Sequence, residues 1–233
     1  MLKKETTNLL NLNNVDFKDL FSICIGKSYL YQARFIDYLG KYDCWNTDVR
    51  EGILRLDDRL FNVEYIGTTS KMDNFWYSSE IETVIPDEYV DLKIKSREIM
   101  TSLGFQKFTD NKIELRNDIN GYNLSMIYIA FSPENVVYFC GSGDTSIYMF
   151  VKNLPEDIFK KMSSVEFSNR VMEIISKFNV NHKLMVKALL IENEIEYSEK
   201  ENEIIALFNE KSTLTVEFDK IGLISKIYGN LSM

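Results

Sequence analysis

The residue types that carry chemistry are few in this chain, and they stand apart. Its single histidine, His182, follows Asn181. It has no second histidine with which to hold a metal, and no neighbouring carboxylates or nucleophile-elbow serine, so it reads as a surface or helix-capping residue rather than a general base. Cys24, Cys44 and Cys140 are scattered without CxxC spacing, which argues against both a disulfide framework and a zinc knuckle. Gly141-Ser142-Gly143 has the composition of a phosphate-cradling loop. A strand pattern follows it, however, where a helix N-terminus would be needed to receive an anion, and no Walker lysine is present. No catalytic residue, metal or cofactor is expected, and the balance is against an enzyme.

The carboxylates gather at Asp43 with Asp48, at Asp57-Asp58, and along Glu192, Glu194, Glu196, Glu199, Glu201 and Glu203. Acid–base work needs burial or close like charges to split two carboxyl pKa values. Asp57-Asp58 falls on a turn tip, where water prevents that. The glutamate run alternates with Asn193, Ile195 and Tyr197, the pattern of a solvated edge strand whose charge discourages pairing. The sharper alternative is a protein-binding acidic face that includes Glu194 and Glu196. The aromatic group Trp45, Phe75, Trp76 and Tyr77 is open to two readings: packing within a sheet, or the lining of a ligand groove.

These residues must be held by a chain of 233 residues with 45% hydrophobic and 27% charged positions, enough for one large domain or two small ones. Net charge is −8, from 27 Lys and Arg against 35 Asp and Glu. That disfavours sequence-independent contact with phosphates, so no nucleic-acid partner is expected. No window approaches the roughly 18 uninterrupted apolar residues of a membrane span. The start, MLKKETTNLLNLNN, lacks a signal-peptide h-region. A cytoplasmic protein without a membrane partner is expected, its N-terminus a loose tail or a weak amphipathic start.

Apolar positions at threes and fours predict a long helix from Asp16, its N-cap, to Gly40, its left-handed stop. Three antiparallel strands are predicted next: 53–56, then 60–66 across the Asp57-Asp58-Arg59 turn, then, after a polar connection over 67–74, residues 75–81. Pro86 opens a second helix that stops at Gly104. Short extended pieces at 105–108 and 113–115 precede a helix over 120–131, and a hairpin joins 136–140 to 146–151. Asn153-Leu154-Pro155 marks a seam. Beyond it come two helices and four strands, near 195–197, 203–208, 213–218 and 223–228. In the third of these, Leu214, Val216 and Phe218 alternate with Thr213, Thr215 and Glu217, as in a sheet with one wet face. The expected fold is α+β, antiparallel β-meanders covered by helices in two closely packed halves, residues 16–155 and 156–231.

Some spacings resemble those of a known family. Trp45 and Asp48 form W-x-x-D; Gly52-Ile53-Leu54 stands where that family has G-x-L-x-F; Ile66-Gly67-Thr68 with Ser70 gives I-G-T-x-S; and an aromatic strand follows. Together these resemble an uncharacterised bacterial domain family, over about residues 30–155. The family's ladder W-x-W-x-W-x-N is altered here, with Phe75 and Tyr77 flanking Trp76. The resemblance implies the fold and no activity. On these grounds the expected function is that of a non-enzymatic bacterial interaction protein, an accessory or immunity-type factor binding another protein through an acidic or aromatic surface. The alternative is a small-ligand-binding domain whose groove is lined by Trp45, Phe75 and Tyr77. Oligomeric state is not legible.

Overall fold

The computed structural model describes residues 1–10, 15–82, 84–209 and 212–230. Among them are six α-helices and two antiparallel sheets of seven and four strands, an α+β fold. The chain separates into two compact units, one of Met1 with residues 31–159 and one of residues 2–30 with 160–233. The division falls within the long helix α2 (Phe17–Leu39) rather than before it, and the second seam follows Phe159, a little beyond the Pro155 read from the sequence. Asp16 caps α2 as expected, its Oδ1 accepting the Asp19 N–H at 2.8 Å, and Gly40 ends it at a φ of 61°.

In the unit of residues 31–159, β1 (Trp45–Asp48), β2 (Ile53–Leu56) and β3 (Arg59–Ser70) form a meander. β3 is the hub of the sheet. Its first residues pair with β2, residues 67–69 pair with β4 (Phe75–Ser78), and residues 63–70 pair with β7 (Thr145–Val151). β5 (Lys112–Glu114) extends the sheet beyond β4, and β6 (Val137–Gly141) pairs with β7. The polar run from Gly67 to Ser70, expected as a connection, is therefore strand. Flanking strands satisfy its backbone groups, and β-branched Thr68 and Thr69 suit a pleated surface whatever their polarity.

Two other expectations are corrected. Residues 79–81 turn into a 3-10 helix because Ser79 donates its hydroxyl to the carbonyls of Tyr65 and Ile66, at 2.7 and 3.2 Å, and Ser78 Oγ accepts the Glu80 N–H. Residues 106–108 are likewise a 3-10 turn, closed by the Thr109 hydroxyl on the Gln106 carbonyl. The helices α3 (Asp91–Ser102) and α4 (Gly121–Phe131) complete this unit. Its core joins Phe35 of α2 to Leu54, Leu56, Val63, Tyr65, Val137 and Met149 of the sheet.

The other unit carries α1 (Lys4–Thr7), the first half of α2, α5 (Ser164–Lys177), α6 (His182–Glu192) and a four-stranded meander. Its strands β8 (Glu196–Lys200), β9 (Glu203–Asn209), β10 (Ser212–Phe218) and β11 (Ile224–Asn230) pair in sequence order. Leu214, Val216 and Phe218 are buried and Thr213 exposed, as the alternation requires. The N-terminus is not a loose tail over residues 1–10. Glu192 Oε1 accepts the Lys3 N–H at 2.7 Å and the Thr6 hydroxyl at 2.5 Å, and Leu2 and Leu10 are buried.

Candidate functional site

The aromatic group nominated from sequence is not one surface. Trp76 is fully buried, its ring over Gly67 and 5.1 Å from that of Tyr148. It is core. Phe75 and Tyr77 lie half-buried on the other face of β4, as period-two alternation dictates. There Lys112 Nζ sits 4.0 Å from the Phe75 ring centre and 5.2 Å from that of Tyr77, and the Tyr77 hydroxyl donates to Asp73 at 2.5 Å. Cation and rings are matched to each other.

The acidic pair separates too. Glu194, at a φ of 56°, sits in the turn before β8 rather than in a strand. Ion pairs with Lys3 and Lys161 hold its carboxyl down at a pKa of about 2. Glu196 is exposed at the start of β8. Glu192, from the same run, has a side chain only 3% exposed and lies 3.6 Å from Lys27 Nζ. Glu192, Glu194 and Glu196 thus stand in three different environments. His182, first residue of α6, accepts the Ile224 N–H on Nδ1 at 3.0 Å.

The polar cluster closest to chemistry was missed. Lys93 Nζ, fully buried, lies 2.7 Å from Ser78 Oγ and 2.5 Å from Glu80 Oε1, and Arg97 holds the other Glu80 oxygen at 2.6 Å. A lysine against a serine is the contact of a Ser–Lys dyad, which requires the amine to be neutral and the serine to meet substrate. Burial does lower the Lys93 pKa. The Glu80 carboxylate works against that, however, and Ser78 is fully buried. The arrangement is a paired internal charge tying β4 to α3. The groove beside Arg97, of about 650 Å³, is lined by polar residues such as Thr101, Gln106 and Asp110.

Of the nominated aromatics, Trp45 packs on Phe139 in the wall of a small depression of mixed polarity. Its half-buried indole lies on Gly141, where a Cβ would fall 2.3 Å from the ring. Its ring centre is 5.9 Å from that of Phe139, which is in turn 6.1 Å from Tyr42. Phe139, Tyr42, Ile36, Leu39 and Tyr138 line a notch of about 180 Å³ where the end of α2 meets β6. Ile36 and Tyr42 expose 58% and 39% of their surface. Cys140 also lines it; burial raises its thiol pKa, so it is not a poised nucleophile.

This notch and the Lys93 cluster both lie within residues 18–154, which match the sequence profile of DUF6882, a family of unknown function, over more than half of the chain. The chain belongs to the DUF6882 family. No curated protein and no solved structure matches it. The DUF6882 segment includes all of α2 but its first residue and ends with Leu154, so it holds the seven-stranded sheet and excludes α5, α6 and the four-stranded sheet. Among the described residues no three His, Cys, Asp or Glu side chains gather as a metal site, and no helix is long and apolar enough to cross a membrane.

Nothing in the local pattern singled out Ile36, Tyr42 or Phe139. The one available signal was Tyr42 itself, a ring isolated in the otherwise polar stretch Lys41 to Cys44.

Proposed function

We propose that this member of the DUF6882 family is a non-enzymatic, cytoplasmic bacterial factor of the accessory or immunity type that binds another protein. The notch between the end of α2 and β6 is the observation that carries this reading. Small-molecule sites enclose about 300–1,000 Å³, whereas this depression holds about 180 Å³, the room of one large apolar side chain. Ile36 and Tyr42 stand exposed in its wall, so a partner that inserts one such side chain also covers these two, in the manner of an energetic hot spot. The net charge of −8 favours a basic partner. The small-ligand alternative needs Trp45, Phe75 and Tyr77 around one groove, and Phe75 and Tyr77 stand instead under Lys112.

The test compares proteins recovered from host lysate by the intact protein and by its Ile36→Asp and Tyr42→Ser variants. The expected result is a specific protein whose recovery falls at least about tenfold with either variant and is unchanged by Glu196→Gln. Equal recovery by all forms, or turnover of generic ester, phosphate or nucleic-acid substrates, would overturn the reading.

A further inference from the structure

The four-stranded sheet ends in two edges of opposite character. β8 carries Glu196, Glu199 and Lys200 in five residues, and Glu199 is held by Lys183 and Lys187 of α6, each at 2.8 Å. Charge of that density blunts an edge. β11 reads Ile224-Ser225-Lys226-Ile227-Tyr228-Gly229-Asn230, with one charge. Among the described residues it pairs only with β10. His182 occupies the Ile224 N–H at the start of that edge, and among the described residues no strand pairs with residues 226–229 on the side away from β10.

The helix layer above this edge is wider than the sheet beneath it. On α5 the stripe Phe167, Val171, Ile174 is buried, with Phe167 5.4 Å from Phe208 between ring centres. A second stripe, Val165, Ser168, Met172 and Ile175, follows at spacings of three and four. Val165 and Met172 expose 48% and 52% of their surface. Opposite them, Ile227 pairs with Val216 and Gly229 with Leu214. Directly paired residues share a face, so Ile227 and Gly229 lie on the helix-facing side with buried Leu214 and Val216. Between the two layers runs a groove of about 630 Å³ with Met172, Ile175, Leu214 and Ile227 on its walls.

We propose that β11 receives an extended segment of a partner protein as a fifth strand, pairing with its backbone edge and placing alternate apolar side chains against Met172 and Ile175. The edge selects for extended backbone, because only a strand can meet its N–H and C=O groups in register. The groove selects for apolar side chains at every second position. Lys226, the one charged residue of β11, stands opposite Glu217 with its Nζ 4.5 Å from the Tyr228 ring centre, on the face away from Ile227, and a carboxylate beside it on the partner strand gives it a second cross-strand partner. This surface belongs to the unit of residues 2–30 and 160–233 and does not depend on the notch at Ile36 and Tyr42.

The probe is a fluorescein-labelled peptide of about eight residues, alternating valine with threonine around one central glutamate. Its anisotropy is measured with the intact protein. Binding is expected, weakened at least about tenfold by N-methylation of alternate peptide amides, by exchange of the glutamate for lysine, and by Met172→Asp. Amide protection from hydrogen exchange is expected at residues 226–229. Ile36→Asp leaves this binding intact, which separates failure here from failure at the notch. Unfolding in urea confirms that Met172→Asp folds, and Lys226→Glu, wholly on the surface, supplies a second variant with the same expected loss. The proposal is overturned if the peptide does not bind at roughly millimolar concentration, if N-methylated and unmodified peptides bind alike, or if neither variant weakens binding. It is also overturned if the protein alone forms a dimer that Met172→Asp dissociates, since a second copy is then the occupant.

Discussion

Trp45 rests on Gly141 so closely that a Cβ at residue 141 would stand 2.3 Å from the indole Cη2. The glycine is therefore the seat of the ring that flanks the notch. Gly141→Ala forces the indole away from Phe139, and overpacking of this kind costs about 1–3 kcal/mol. The expected outcome is a lower urea midpoint and a red-shifted tryptophan emission from Trp45, since Trp76 stays buried. Unchanged emission and midpoint would show that the ring has room to yield.

Much of the fold was legible because it is local. The alternation of Leu214, Val216 and Phe218, the cap at Asp16 and the positive φ of Gly40 each depend on a few neighbouring residues. The places that were not legible depend on distant partners. Gly67 to Ser70 looked like a connection until β4 and β7 were found on either side of it. Glu192 looked like its neighbours in the acidic run, but the Lys3 amide and Thr6 hydroxyl set it apart from across nearly the whole chain. The notch joins Ile36 to Phe139, a pairing to which no periodicity points.

Replacing Lys93 tests the internal charge cluster. Lys93→Ala leaves Ser78 and one side of Glu80 buried without their cation, and breaking a buried pair from one side costs about 3–5 kcal/mol. Lys93→Met, which removes the same cation but refills the volume, is expected to cost less than Lys93→Ala; equal losses would show that the missing charge alone sets the cost. Urea unfolding of the two variants side by side reads the difference.

His182 gives stability a pH dependence with a definite sign. Its Nδ1 accepts the Ile224 N–H, so that nitrogen must be unprotonated. Burial, aided by the Lys18 charge and opposed by Asp219, lowers its pKa from 6.5. The unfolded chain then takes up its proton first as the pH falls. The contribution is complete above about pH 6.5 and is lost as the pH drops through the lower folded-state value. The urea midpoint of the natural protein should fall more between about pH 7 and 5 than that of His182→Gln; parallel curves would refute the assignment.

Glu192 holds the N-terminal segment. Glu192→Ala strands the Lys3 amide and the Thr6 hydroxyl, at a cost of about 1–3 kcal/mol. Residues 1–10 should then exchange amide hydrogens faster and be cut by trypsin at Lys3 or Lys4 before the rest of the chain. Digestion at the natural rate would mean that Leu2 and Leu10 suffice to keep the segment docked.

The division of α2 bears on how such a protein can be inherited. The family segment begins at residue 18, yet residues 17–30 of that helix count with the second unit, where Phe21 meets Phe178 at 5.8 Å and Gly26 leaves room for Leu189. A recombination event that moved residues 18–154 alone would carry an apolar half-helix stripped of what covers it. Exchange between genes is therefore tolerated only where the recipient brings its own cover for that half-helix. The family segment and the compact units divide the chain at different places.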